Sequence, residues 1–170
     1  MKPIRALAIT SVLVTVAFTV LVVLWLDEDP DVYLAALGGK SSDQVALASF
    51  PSTCGIEGDS TAAEGVEKSL LSSFLEANGP DAKINDLSKL SPWFSIANSR
   101  QLRALGSKEL GYWVAGEEKQ RIVGLSNIGY SSAKDEALVC IQTRGVTDLV
   151  LMRKSEKGWV HAGIVWSRVS

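Results

Sequence analysis

The chain is poor in the residue types that most chemistry needs. It has one histidine, two cysteines and two methionines in 170 residues. A single imidazole excludes a histidine-rich metal centre and leaves His161 as the one neutral base for a serine or cysteine nucleophile. It also lacks an excess of positive charge. With 17 basic and 19 acidic residues the formal net charge is −2, and nothing resembles a basic stripe. Nucleic-acid binding depends on neutralising phosphates, so no nucleic acid is expected as a partner. No internal repeat, phosphate-cradling glycine pattern or calcium-loop spacing occurs, and no cofactor is expected.

One absence is informative in the opposite direction. Residues 6–26 contain no charge at all. At ~1.5 Å of rise per residue, that length matches a hydrocarbon core of ~30 Å. Trp25 stands at its end, where an indole suits the membrane interface. Lys2 and Arg5 precede the run, and Asp27, Glu28, Asp29 and Asp31 come after it. Positive charge stays inside, so residues 1–5 are expected in the cytoplasm and the rest in the periplasm or outside the cell. A cleaved signal peptide has a shorter apolar region and small residues at its cleavage site. Here Leu24, Trp25, Leu26 and Asp27 occupy that place. The reading is therefore an uncleaved, single-pass signal anchor, with membrane lipid contacted through residues 6–26.

Behind the anchor, residues 27–31 read as a short acidic joint and residues 32–170 as one extracytoplasmic domain. Removing Lys2 and Arg5 from the count leaves that outer part with 15 basic and 19 acidic residues, a formal charge of −4. Its length suffices for one core and not for two. Residues 32–37 read as a short helix stopped by Gly38 and Gly39, and residues 45–50 as a strand. The clearest helix is expected over 61–78. Thr61 and Glu64 have capping-box spacing, Val66, Leu70 and Phe74 recur every fourth residue, and Asn78-Gly79-Pro80 ends it. Residues 93–97 suggest a strand, 99–105 a helix, and 110–114 an extended segment.

Four β-rich runs close the chain at 121–130, 137–144, 147–154 and 159–167. Their short links favour antiparallel neighbours. In the last run Val160, Ala162, Ile164 and Trp166 alternate on one face. The expected fold is α+β, a four-stranded antiparallel meander with one face covered by the 61–78 helix, in the manner of cystatin-like domains.

Residues 125–130 (Leu-Ser-Asn-Ile-Gly-Tyr), 137–139 (Ala-Leu-Val), 151–154, 158–160 (Gly-Trp-Val), and Trp166 with Ser167 resemble a pattern in bacterial secreted proteins. There a Ser-x-Val-Gly-Phe strand precedes Ala-Leu-Val, a Lys-x-x-Gly-x-Trp-x-Val hairpin and a terminal Trp-x-Ser. Their helix ends in Phe-Leu-x-x-Asn, which Phe74, Leu75 and Asn78 match. The resemblance implies an extracytoplasmic α+β domain and carries no activity with it. Cys140 replaces the large residue usual in that strand, and the turn at 145–148 is shorter.

Cys54 and Cys140 are candidates for a disulfide outside the cytoplasm; spacing alone does not show proximity, and two separate thiols, with Cys140 filling a strand position, are the alternative. Ser126 lacks the glycine spacing of a nucleophile elbow, since Ile128 stands where glycine is required. The carboxylate pairs Glu117-Glu118 and Asp135-Glu136 lie beside turn signals. No catalytic or metal-binding set is assigned. The candidate binding face is Trp159 and His161, with Arg153 and Arg121 on neighbouring strands. The expected function is a non-enzymatic anchored domain that binds a protein partner or a ligand. A small-ligand pocket and a hydrolase using His161 are the alternatives.

Overall fold

The computed structural model describes residues 29–38, 45–50, 52–56, 64–83, 86–97, 112–115, 118–143 and 145–169. The apolar run at 6–26 and the helix expected at 99–105 lie outside these residues. Among the described residues no helix is long and apolar enough to cross a membrane.

The chain opens with α1 (Asp29–Ala36). Pro30 in its first turn needs no helical hydrogen bond, and Asp29 and Asp31 lie at the positive end of the helix dipole. Residues 29–31 of the expected acidic joint are thus helical, and the helix expected over 32–37 covers Asp29–Ala36. Gly38, with φ of +79°, ends the helix as expected. β1 (Val45–Ser49) comes next.

α2 runs only from Lys68 to Ala77, a correction to the 61–78 helix. Gly65 has φ of +93°, which no right-handed helix accommodates, so the chain is still turning at residues 64–65. The capping residue is Glu67, whose side chain makes no capping hydrogen bond. Thr61 lies outside the described residues. A 3-10 turn (Leu87–Leu90) lies beyond α2, and Asp86 accepts a hydrogen bond from the Ser88 N–H to cap it. That bond and the Ser88 hydroxyl hold the Asp86 carboxyl below its ordinary value. Trp93 belongs to a turn, and the strand expected at 93–97 shrinks to β2 (Ser95–Ile96).

The remaining strands are β3 (Tyr112–Ala115), β4 (Glu118–Leu125), β5 (Gly129–Tyr130), β6 (Glu136–Thr143), β7 (Val146–Ser155) and β8 (Gly158–Val169). They form one eight-stranded sheet in the order β2-β1-β4-β6-β7-β8, with β3 paired to β4 and β5 to β6. The expected meander is present as β4/β5, β6, β7 and β8, all antiparallel. It is only part of the sheet, because β1 runs parallel to both β2 and β4. A parallel pair needs a long crossover, and residues 50–94, including α2, supply one between β1 and β2.

The sheet is covered on two faces, not one. On the first, Val32, Tyr33 and Ala36 of α1 pack with Leu47, Val139, Val150, Met152 and Trp159. On the second, Leu70 and Phe74 of α2 pack with Leu138, Cys140 and Leu149. Alternation along β6 explains this division. Ala137, Leu138, Val139 and Cys140 are all buried, and successive side chains point to opposite faces. The one-helix, cystatin-like arrangement is therefore replaced by a mixed sheet between two helices.

β8 departs furthest from its expected pattern. Register shifts against β7 occur between Leu149/Val150 and between Leu151/Met152, leaving Val165 and Ala162 unpaired. Each extra residue reverses the facing of the strand beyond it. Trp159 and Ile164 thereby lie opposite Lys154 and Val150, toward α1, whereas Val160 and Trp166 lie opposite Arg153 and Leu149, toward α2. The single apolar face expected from Val160, Ala162, Ile164 and Trp166 does not form.

Candidate functional site

The residues of the Ser-Asn-Ile-Gly segment meet at an interruption of the sheet. β4 and β5 lie along the same edge of β6, separated by residues 126–128. The Ser126 hydroxyl bridges that break. It accepts a hydrogen bond from the Cys140 N–H at 2.9 Å and donates to the Asn127 carbonyl at 2.8 Å. The Tyr33 hydroxyl of α1 donates to the Ser126 carbonyl at 2.7 Å.

Asn127 and Asn78 then tie the break to α2. Asn78 Nδ2 donates to the Phe74 and Asn127 carbonyls, and Asn78 Oδ1 accepts from the N–H groups of Asn127 and Ser52. Asn127 Nδ2 reaches the carbonyls of Ala77 and Lys83. Buried polar groups need such partners. Gly129 completes the arrangement. A Cβ there would fall 2.3 Å from the Cα of Phe74, so only glycine lets β5 pass this close to α2. The whole segment joins α1, α2 and the sheet, and its hydroxyl is committed to backbone groups. The resemblance had marked these residues in sequence; their role as a joint between layers appears only with Asn78 and Tyr33 beside them.

The two cysteines are joined in the structure. Cys54 and Cys140 form a disulfide with their Cα atoms 5.8 Å apart and 86 positions apart in sequence. Cys54 sits in the loop after β1, where the Ser52 hydroxyl accepts its N–H, and Cys140 is on β6, facing α2. Both are buried. On the chain-entropy model a loop of this length corresponds to about 4–5 kcal/mol of stabilisation.

The four residues expected to share a binding face are not brought together. Trp159 is 9% exposed and packs on Tyr130, ring centroids 6.0 Å apart and planes tilted by 56°. The Nζ of Lys154 lies 5.8 Å from the Trp159 ring centroid, and that of Lys134 5.8 Å from Tyr130, each cation–π contact contributing roughly 0.5–1 kcal/mol. Lys134 has φ of +55°, held by a turn in which Ser131 Oγ accepts the N–H groups of Asp135 and Glu136. His161 is exposed opposite Met152 on β8. Arg153 points to the other face and pairs with Glu136 at 2.7 Å. Arg121 is on β4, two strands beyond β7. The physical cause is the strand order together with the β7/β8 hairpin register, which sets Arg153 opposite Val160 rather than Trp159; spacing reveals neither.

A feature the residue pattern did not single out is the outer edge of β8, which pairs only with β7 among the described residues. Among the described residues the exposed large apolar side chains are Ile96, Val160, Ile164 and Val169. All four lie on the strands that end the sheet, β2 and β8. β2 has two residues and β8 twelve, so β8 is the edge with length enough to be recognised. Comparison of the chain with protein-family models, curated proteins and solved structures finds no match.

Proposed function

We propose that this is a single-pass membrane protein whose apolar run at 6–26 tethers the α+β domain outside the cytoplasm, and that the domain works by binding a protein. The observation that carries the reading is the Cys54–Cys140 disulfide. Such links persist in oxidising compartments and are rare in the cytosol. It agrees with the charge asymmetry around the apolar run, basic before and acidic after. Binding rather than catalysis is supported by how the reactive groups are used. Ser126 Oγ is engaged with backbone, both thiols are joined, and His161 stands exposed on β8, opposite a methionine. The long β8 edge provides the surface.

Protease treatment of intact spheroplasts is the direct test. The domain should be degraded while a cytoplasmic control survives, and thiol alkylation of the denatured chain should label Cys54 and Cys140 only after reduction. A protected domain with freely alkylated thiols would overturn the reading.

A further inference from the structure

We infer that β8 is a self-association edge, pairing antiparallel with β8 of a second copy about a two-fold axis through Ile164. This inference rests on the tethered reading above and names the partner.

Four observations lead there. First, β8 is twelve residues long, closes the sheet, and pairs only with β7 among the described residues. Its outward N–H and C=O groups form a template for another strand. Second, apart from its two bulges, β8 carries few of the devices that usually blunt such an edge. β8 contains no proline, lysine or carboxylate, and Arg168 is its one formal charge. Its exposed apolar residues, Val160, Ile164 and Val169, lie along its length.

Third, the register is self-consistent. A two-fold axis perpendicular to the sheet makes residues opposite each other share a face. With Ile164 on the axis, Trp159 meets Val169, Val160 meets Arg168 and His161 meets Ser167. From their partners on β7, Trp159, His161, Ile164, Ser167 and Val169 are all on the α1 side, and Val160 and Arg168 on the α2 side. These three opposed pairs therefore agree in facing, and the lone cation meets an apolar residue. The unpaired residues Ala162 and Val165 straddle Ile164, so each copy's kink lies beside the other's. A register centred on Ala162 fails this requirement, because it opposes Val160 to Ile164 from different faces.

Fourth, the position of α1 suits two tethered copies. Only Asp27 and Glu28 separate the apolar run from α1, and α1 lies against β8 and β7. The same two-fold axis keeps both copies of α1 on one face of the joined sheet, so both tethers reach a single bilayer. Confinement to that bilayer raises the effective concentration of one edge for the other.

Cysteine crosslinking of the full chain in native membranes tests this. Directly opposed residues of antiparallel strands have Cα atoms about 4.5–5.5 Å apart, inside the disulfide range of about 4.4–6.8 Å. Ile164→Cys should therefore give a dimer on mild oxidation. Val160→Cys should not crosslink to itself but should crosslink to co-expressed Arg168→Cys. Ala133→Cys, in an exposed turn, controls for collision. Failure at position 164, or equal crosslinking at 133, would overturn the inference. As a second measurement, Ile164→Lys opposes two ammonium groups on the axis and should convert a two-chain particle in detergent to one chain, with the Cys54–Cys140 link still resistant to alkylation. A wild-type particle of one chain, including one that instead binds an unrelated extended segment, would also overturn it. Carbonate extraction reports separately on the tether, since a soluble chain would defeat that reading while the crosslinking pattern still judges the β8 edge.

Discussion

β6 and β8 are close in composition and opposite in circumstance. β6 reads EALVCIQT and β8 reads GWVHAGIVWSRV, both rich in apolar residues. Ala137, Leu138, Val139 and Cys140 are at most 1% exposed, whereas Val160 and Ile164 are 44% and 56% exposed. β6 has a strand on each side and a helix over each face. β8 has β7 on one side, α1 over part of one face, and only Val165 and Trp166 packed on the cluster at the other. Hydrophobicity thus measures what a strand is able to bury, and its rank in the sheet decides what it does bury. Apolar residues stranded on an edge are then available to a partner.

The contrast can be broken most severely by releasing the link that holds the β1 loop to β6. The double variant Cys54→Ser, Cys140→Ser should lose about 4–5 kcal/mol of stability, read as a lower midpoint in denaturant titration of the full chain. Leu138→Ala, inside β6, should cost about 2–5 kcal/mol, because the neighbouring Leu70 and Phe74 cannot fully close the cavity. Gly129→Ala should cost about 1–3 kcal/mol or more, since the added methyl meets the backbone of α2 rather than a movable side chain. Tyr33→Phe removes one buried hydrogen bond between α1 and the Ser126 carbonyl and should cost about 1 kcal/mol, with faster hydrogen exchange at the 126–128 break as its local signature. At the edge, Val160→Ala should change stability by less than about 0.5 kcal/mol when measured in the Ile164→Lys background, where strand pairing does not enter. A Val160 effect as large as that of Leu138 would show that β8 is covered after all.

Local features of the fold were legible because they depend on neighbours along the chain. β1 and the last three C-terminal runs appear within one or two residues of the expected bounds, as alternation and turn residues require; the run expected at 121–130 starts three residues earlier and is broken at 126–128. The stop at Asn78-Gly79 holds for the same reason. The start of α2 was misplaced because Gly65 takes a positive φ that outweighs the capping spacing of Thr61 and Glu64. The candidate face failed for a different cause. Trp159 and His161 do share a face, but Arg153 opposes Val160 and so lies on the other one, and β6 and β7 stand between Arg121 and β8.

The sequence by itself determined the charge-free run at 6–26, the strand-rich C-terminal half and the two cysteines able to pair, since each is a property of composition or of a short window. Only the tertiary structure decided that Cys54 meets Cys140, that Asn78 meets Asn127, that helices cover both faces, and that β8 ends the sheet. These are contacts between residues dozens of positions apart. They arise from strand order and register, which pack the whole chain at once and leave no mark in any one segment.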